Sequence, residues 1–495
     1  MSGRERLSSA DAAWLRMDRP TNLMVITSVL LFGTRLDWPR LADVAQTRLV
    51  DRYPRFRQRV VESRRSPGGP AWVPDERFDL ARHMHRRGLR APGGEAALQE
   101  LVGDLASTPL DRGKPLWDMY MVDGPGRGSA VIVRMHHCIA DGIALAEVML
   151  SLTDSSARPK GGAAPSLAQS PESASRGGLG ATLLADAGGT VLGGLSAAQG
   201  AGAAAVRASA GIAREALRTA AHPAHGVELA GRVSSGAQAL AKLLLTPPDQ
   251  PSVLKGDQGA ARKVSWGRAI SLKEIKTIAH AQDATVNDVL LAAVSGALRS
   301  HLLSRGEEPH EIRAFVPVNL RAPGQPVPRE LGNRFGLVYL TLPVDRASRR
   351  ERLRELKRRM DEIKDSPEGV VSYVLLEAVG LTPPEVESRL IDLFTMKATA
   401  VMTNVPGPRR TVYLAGTPLR AVLVWAPTAG SMGTSVSIFS YDGEVTVGLL
   451  VHSALVPDPQ SIVDRLDREL AAMARLAPSP TRRAGAKSVA RRGAA

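Results

Sequence analysis

The sequence predicts an α/β chain of two similar-sized domains. Three observations carry that reading. The 495 residues suffice for two ordinary cores. Apolar strand-like runs alternate with helical patterns in both halves. Between them, residues 155–258 are dominated by Ala, Gly, Ser and Pro, a break that marks a domain junction.

In the first half, residues 1–154, the β-branched run Leu23–Phe32 reads as a buried strand. It is too short to span a bilayer. Trp38–Tyr53 follows as a helix that Pro54 ends. Trp72–Val73 and Phe78–His85 read as short strands, and Gly94–Ser107 as a helix. Two further strands, Trp117–Val122 and Ala130–Met135, are joined by the turn Asp123-Gly124-Pro125-Gly126. Gly142–Leu152 reads as a helix.

In the segment 155–258, residues 155–180 have the composition of a flexible linker. The later part, with Leu183, Leu184, Val191, Leu192, Leu195 and Ile212 among small residues, reads as loosely amphipathic helices. These suit a connector packed on the domain surfaces. A lipid-facing role is the alternative, since Arg207, Arg214 and Arg218 would suit an anionic surface.

The second half, 259–478, resumes with the strand Lys263–Ile270 and the helices Leu272–Ala281 and Val286–Leu303. Phe315–Val318 and Gly336–Leu342 are strands; Arg346–Lys364 and Val370–Leu381 are helices. Ala398–Asn404, Val422–Ala426, Ser435–Tyr441 and Glu444–His452 are strands, and Pro459–Ala474 closes as a helix. The tail 479–495 carries Arg482, Arg483, Lys487, Arg491 and Arg492 without an acid, and we expect it to be disordered.

The formal charge is +15, from 64 basic and 49 acidic residues. Such a balance suits anionic partners or simply a soluble surface. Nucleic acid is disfavoured, because aromatics are only 4% and no zinc-finger or RNP-type motif occurs. Cys138 is the single cysteine, so no disulfide forms within the chain and a reducing compartment fits. Met1–Arg6 is not followed by an apolar core of the signal-peptide kind. We expect a cytoplasmic protein, soluble or peripherally attached to the inner membrane face or to lipid droplets.

The chemistry concentrates in His136-His137-Cys138-Ile139-Ala140-Asp141-Gly142, set between the strand ending at Met135 and the helix from Gly142. A strand-end imidazole can project into a cleft and accept a proton near neutral pH. Adjacent histidines face opposite ways, so one is expected to do chemistry. Gly142 permits backbone conformations or close approaches that a side chain would prevent. A buried structural histidine is the plain alternative. No metal is expected, for no third or fourth ligand of suitable spacing accompanies the pair. A nucleophilic triad is unsupported: Gly-x-Ser-x-Gly is absent, and Cys138 would point away from His137.

His-His-x-x-x-Asp-Gly resembles the hallmark of the coenzyme A-dependent acyltransferase superfamily. That superfamily includes chloramphenicol acetyltransferase-like enzymes and peptide-synthetase condensation domains. Within it the chain resembles the bacterial wax ester synthase/diacylglycerol acyltransferase family. Leu7-Ser8-Ser9-Ala10-Asp11-Ala12-Ala13-Trp14 and Pro20-Thr21-Asn22-Leu23-Met24 are similar to that family's opening. Pro115-Leu116-Trp117, Asn287-Asp288 and Asn404-Val405-Pro406-Gly407-Pro408 match its later motifs in order, so the likeness runs from Leu7 to Leu476. Asp118 departs from it, since relatives often carry Glu after Pro-Leu-Trp.

The resemblance implies two chloramphenicol acetyltransferase-like domains with the active site in the channel between them. It implies acyl transfer from acyl-CoA, a substrate rather than a cofactor, to diacylglycerol or a long-chain alcohol. His137 would be the general base, with no acyl-enzyme, and His136 would orient the loop. Asp141 would be structural; a strand-end aspartate suits an arginine, and Arg321 is a candidate partner only because it ends the Val316–Leu320 strand. Asn287 and Asp288 would support the site, though both residue types are also ordinary at a helix start. Pro115-Leu116-Trp117 reads as packing. Two other functions stay open: a condensation-type acyltransferase of secondary metabolism, and a non-catalytic protein coating lipid droplets or membranes.

Overall fold

A computed structural model describes residues 4–62, 69–124, 128–158, 235–322, 325 and 327–476. Most of the expected connector and the whole basic tail lie outside the described residues.

The strands of the first half are β1 (Glu5–Arg6), β2 (Val25–Phe32), β3 (Gln58–Val61), β4 (Ala71–Pro74), β5 (Met84–Arg87), β6 (Trp117–Asp123), β7 (Ser129–His136) and β8 (Thr153–Asp154). Its helices are α1 (Ser9–Met17), α2 (Trp38–Val44), α3 (Gly94–Ala106) and α4 (Gly142–Ser151). After the undescribed segment come α5 (Ser235–Leu245), β9 (Arg262–Trp266), β10 (Ile270–Ser271), α6 (Leu272–Ala281), α7 (Val286–Ser304), β11 (Ile312–Asn319) and β12 (Phe335–Leu342). Then follow α8 (Arg349–Lys364), α9 (Glu368–Val379), α10 (Pro384–Thr395), β13 (Ala400–Pro406), β14 (Tyr413–Leu414), β15 (Thr417–Trp425), β16 (Thr434–Tyr441), β17 (Glu444–His452) and α11 (Gln460–Ala474).

Most of the longer elements stand where the patterns put them. The short strands β1, β3, β8 and β14 were not expected, and Lys263–Ile270 divides into β9 and β10. The expected helix Trp38–Tyr53 is α-helical only to Val44, before a π-helical turn. Phe78–His85 is not one strand: a 3-10 turn at Leu80–Arg82, capped by Asp79, precedes β5. Helices α1 and α10 had no counterpart in the pattern reading. Alpha-1 starts on Ser8, whose hydroxyl accepts the Asp11 N–H, and Asp11, one turn in, is buried rather than solvent-facing. That buried polar residue breaks the amphipathic signal.

Two seven-stranded sheets form the frame. The second holds β10-β17-β16-β13-β11-β12, with β9 added on β17. The first runs β5-β6-β7-β2-β15-β14-β8, so β14 and β15 cross from the second half of the chain into the sheet of the first. Beta-15 pairs antiparallel with β2, Leu423 opposite Val29 and Trp425 opposite Thr27. The crossing places Leu423 and Trp425 within van der Waals reach of the Gly448 backbone in β17, where only a glycine fits. The largest apolar core accordingly draws on both halves, from Trp14 and Val131 to Phe315, Tyr339 and Met432. Among the described residues no helix is long and apolar enough to cross a membrane.

Beta-7 is buried along all eight residues and flanked by β6 and β2. Such a strand is a rigid base, and its last residue is His136. Helices α5, α9 and α10 stand opposite. Alpha-9 lies close on β12, where a side chain at Gly336 would run into the Gly369 carbonyl. Alpha-5 is tied down twice. Lys242 meets the buried Glu368 at 2.7 Å, and the buried Lys397 ammonium donates to the Leu243 and Leu244 carbonyls at 2.7 and 2.8 Å. The Glu368 carboxylate also accepts the Tyr339 N–H.

Candidate active site

The two histidines at the end of β7 diverge as strand geometry requires. His136 turns into the first half. Its Nδ1 accepts the Cys138 N–H at 3.1 Å, and its Nε2 lies 3.8 Å from Asp18. Those contacts tie the loop to the segment after α1. Cys138 is fully buried, and burial pushes its thiol well above the ordinary range, which leaves it in the unreactive thiol form.

His137 turns the other way, into a cavity of about 180 Å³. Its backbone is held at both ends: the N–H donates to the Met24 carbonyl at 2.7 Å, and the carbonyl accepts from Asn333 Nδ2 at 2.8 Å. The imidazole stacks on Trp14, centroids 4.2 Å apart and planes 20° from parallel, with Phe335 at 5.5 Å. Burial lowers its pKa from 6.5 to about 4, against a smaller opposing pull from the Asp141 carboxylate. The ring is therefore neutral at physiological pH and able to accept a proton.

Asp141 ends the loop, and its carboxylate serves three partners. One oxygen caps α4 through the Ala144 N–H at 2.9 Å. The other accepts the Arg334 N–H at 3.0 Å and lies 2.6 Å from Arg321. Asp141 and Arg321 are both nearly inaccessible. Arg321 follows β11, so the ion pair expected from sequence joins the two halves of the chain. The Gly332 N–H adds a bond to the Ile139 carbonyl at 3.0 Å.

Gly142 has a different part from the one its residue type suggested. It begins α4 without a left-handed backbone, and no atom lies within 4 Å of where its Cβ would be. It lines the cavity, so a side chain there would take up cavity space.

Asn287 and Asp288 divide. Asp288 forms a capping box with Thr285, each side chain bonding the other's backbone, an ordinary helix start. Asn287 accepts a hydrogen bond from Asn404 Nδ2 at 2.7 Å, and Asn404 lines the cavity. Two motifs 117 residues apart thus meet at its rim. Pro115-Leu116-Trp117 is packing: Trp117 is fully buried, donates to the Phe56 carbonyl and stacks on His83. Asp118 pairs with Lys114 at 2.7 Å.

The cavity wall is overwhelmingly apolar and comes from both halves: Trp14 and Ile26 on one side, Phe315, Phe335, Leu376 and Phe394 among those on the other. A second, smaller apolar pocket lies beneath α4 and shares Ile26 and Val424 with the first. Sequence reasoning missed Trp14 and Asn333 as neighbours of His137. Trp14 stood in a quoted motif whose role was unassigned; Asn333, in irregular chain before β12, carried no signal.

Comparison with known proteins bears on the family and the fold. Residues 7–290 match the model of the wax ester synthase/diacylglycerol acyltransferase catalytic domain, and residues 331–474 that of the corresponding C-terminal domain. A Mycobacterium tuberculosis protein described as a probable diacylglycerol O-acyltransferase is 28% identical over 98% of this chain and 99% of its own length. Among solved structures, the wax ester synthase/diacylglycerol acyltransferase of Marinobacter aquaeolei VT8 superposes with a TM-score of 0.66 at 23% identity, covering 96% of this chain and 99% of that one. The first condensation domain of the calcium-dependent antibiotic synthetase gives 0.57 at 17% identity, covering 97% of both chains. These structural likenesses bear on the fold alone.

The Asp141 pair yields a direct expectation. Asp141→Ala leaves Arg321 buried and unpaired and removes the α4 cap. It should lower stability by about 3–5 kcal/mol, the usual cost of breaking a buried pair from one side. Chemical denaturation checks this; an unchanged midpoint would contradict the structural role.

Proposed function

The chain belongs to the wax ester synthase/diacylglycerol acyltransferase family and is an acyl-CoA-dependent acyltransferase of triacylglycerol and wax-ester synthesis; on that premise we propose that His137 is its general base. The observation that carries the proposal is a neutral, buried imidazole in the wall of the apolar cavity between the two halves. His137 takes the proton of the acceptor hydroxyl as that oxygen attacks the thioester carbonyl. The new C–O bond forms, the C–S bond breaks, and the imidazolium returns the proton to the departing sulfur. No side chain of the site is acylated. Cys138 is buried as a thiol on the far side of the loop, and Asp141 is committed to Arg321.

Acyl-CoA enters as a substrate, and diacylglycerol or a long-chain alcohol is the acceptor. The apolar cavity beside His137 suits hydrocarbon, and a smaller apolar space shares Ile26 and Val424 in its wall. An aqueous protein must collect such an acceptor from a lipid surface. Helices α5, α9 and α10 wall the cavity through Leu243, Leu376 and Phe394. On and just beyond the same helices, Leu245, Val374, Leu381 and Met396 are exposed, Leu381 to 59%. We assign that outer face to peripheral contact with a lipid surface, which fits attachment to the inner membrane face or to lipid droplets.

Purified protein incubated with palmitoyl-CoA and either dipalmitoylglycerol or hexadecanol should release coenzyme A thiol and form triacylglycerol or wax ester. His137→Ala should abolish both products in a folded protein; full activity of that variant would remove the base assignment.

The pH dependence follows from burial. A folded-state pKa near 4, below the ordinary 6.5, keeps the base unprotonated until the solution is strongly acid. In kcat/KM the His137 limb should fall through about pH 4, not 6.5. The same shift lets the unfolded chain bind a proton that the folded chain excludes. That contribution to stability is present above pH 6.5 and lost as pH falls towards 4. Steady-state rates between pH 4 and 8 test the limb, and a half-maximal point at 6.5 would refute it.

For the lipid face, Leu381→Ser with Met396→Ser should reduce sedimentation with diacylglycerol-containing vesicles. It should leave turnover of a detergent-dispersed alcohol unchanged. Equal vesicle binding by variant and parent would exclude this surface.

A further inference from the structure

Helix α1 supplies no group to the chemistry proposed above, yet its Trp14 stacks directly on the His137 ring. Asp11 and Trp14 stand three residues apart, on neighbouring positions of one helix face. Each is more than nine-tenths buried. Trp14 covers the imidazole at 4.2 Å. Asp11 Oδ1 accepts two bonds from Asn333, from its N–H at 3.2 Å and its Nδ2 at 2.7 Å. The same Nδ2 makes its second bond to the His137 carbonyl at 2.8 Å, so both of its hydrogens are engaged. The helix itself is fixed from behind, by Ser9 to Glu377 and by Arg16 to Glu387.

The imidazole needs such support. In a base–carboxylate pair, a carboxylate bonded to the second ring nitrogen sets the ring's orientation. Here the nearest loop carboxylate, Asp141, is committed to Arg321 and to two backbone N–H groups. Among the described residues no other residue hydrogen-bonds His137 Nδ1. The plane of the ring is left to the surfaces stacked on it, and its root to whatever holds the backbone.

We propose that Asp11, Trp14 and Asn333 are positioning residues for His137. Asp11 holds the Asn333 carboxamide, Asn333 holds the His137 carbonyl, and the Trp14 indole fixes the plane of the ring. The indole face also meets the positive charge when the ring takes a proton, a cation–π contact absent in the resting state. The inference rests on His137 being the base, and it gives the opening motif Leu7–Trp14 a mechanical role in the reaction.

The experiment compares Asp11→Ala, Asp11→Asn, Asn333→Ala, Trp14→Leu and Trp14→Phe in the full chain. Circular dichroism at the assay temperature verifies folding, and kcat and KM are measured for acyl-CoA and for the acceptor. Misplacing a reacting group by 1 Å costs about a hundredfold in rate. Asp11→Ala, Asn333→Ala and Trp14→Leu should therefore lose roughly 10- to 100-fold in kcat. For the first two, which lie outside the cavity lining, both KM values should stay within about twofold, since uniform binding is untouched. Asp11→Asn keeps an acceptor oxygen and Trp14→Phe keeps a ring, so both should recover most of the lost kcat. Parental kcat in folded Asp11→Ala and Asn333→Ala would overturn the proposal. So would a loss carried by KM alone, or one that Asp11→Asn fails to restore. His137→Ala separates the two levels: an active His137→Ala defeats the base assignment. An inactive one beside fully active Asp11→Ala and Asn333→Ala defeats only the positioning role.

Discussion

The buried pair of Asp141 and Arg321, 2.6 Å apart, is the constraint on which the site depends. Its value lies in connection rather than in net energy. Removing two charges from water offsets much of their attraction, and buried pairs are often no more stabilising than apolar replacements. What the pair does is decide which segments meet. One carboxylate receives the first turn of α4, the backbone of Arg334 and the guanidinium after β11. The strand-end loop of one half is thereby registered on the chain entering β12 in the other. An apolar pair could fill the volume, but it would leave the Ala144 and Arg334 N–H groups without their acceptor.

That registration makes the cavity. Neither half encloses it alone, for its wall alternates residues from α1, β2 and α4 with residues from β11, β12, α9 and α10. The crossing of β15 into the first sheet acts in the same direction, placing Val424 and Ala426 beside Ile26. The halves therefore share a sheet, a core and a salt bridge, so that loosening any one of them would alter the channel.

How far the site was legible in the sequence follows from the range of each interaction. Beta-7 and α4 were plain because their signals are local: a run of apolar residues, then Asp and Gly at a helix start. The Asp141–Arg321 pair was accessible as a guess, because an acid at one strand end and a base at another have complementary chemistry. The pairing of β15 with β2 was not legible. The continuously paired part of β15, Ala421–Trp425, is an unbroken apolar run, and such a run names no partner. Helix α1 was missed because Asp11 is polar and buried, which a hydrophobic period scores as noise. Asn333 lies in irregular chain, where nothing but three-dimensional contact identifies it.

The base proposed at His137, held near pKa 4, is weak, and its burial calls for a physical reason. An acyl thioester beside a wet imidazole would be open to attack by water. Excluding water from the site guards the acyl group, and the same exclusion disfavours the imidazolium that must form during transfer. The two requirements conflict unless the protein stabilises the charged ring by means other than solvent. A carboxylate directly on the ring would raise its pKa strongly and favour the protonated, inactive form at rest. An aromatic face is a gentler device. It leaves the neutral ring neutral, and it attracts the cation only once the proton has arrived. The stacked Trp14, with Asp141 turned away into its salt bridge, fits that compromise. In this arrangement the sequence elements nearest His137 each act without competing for its proton: one carboxylate joins the halves, another holds Asn333, and an indole covers the ring.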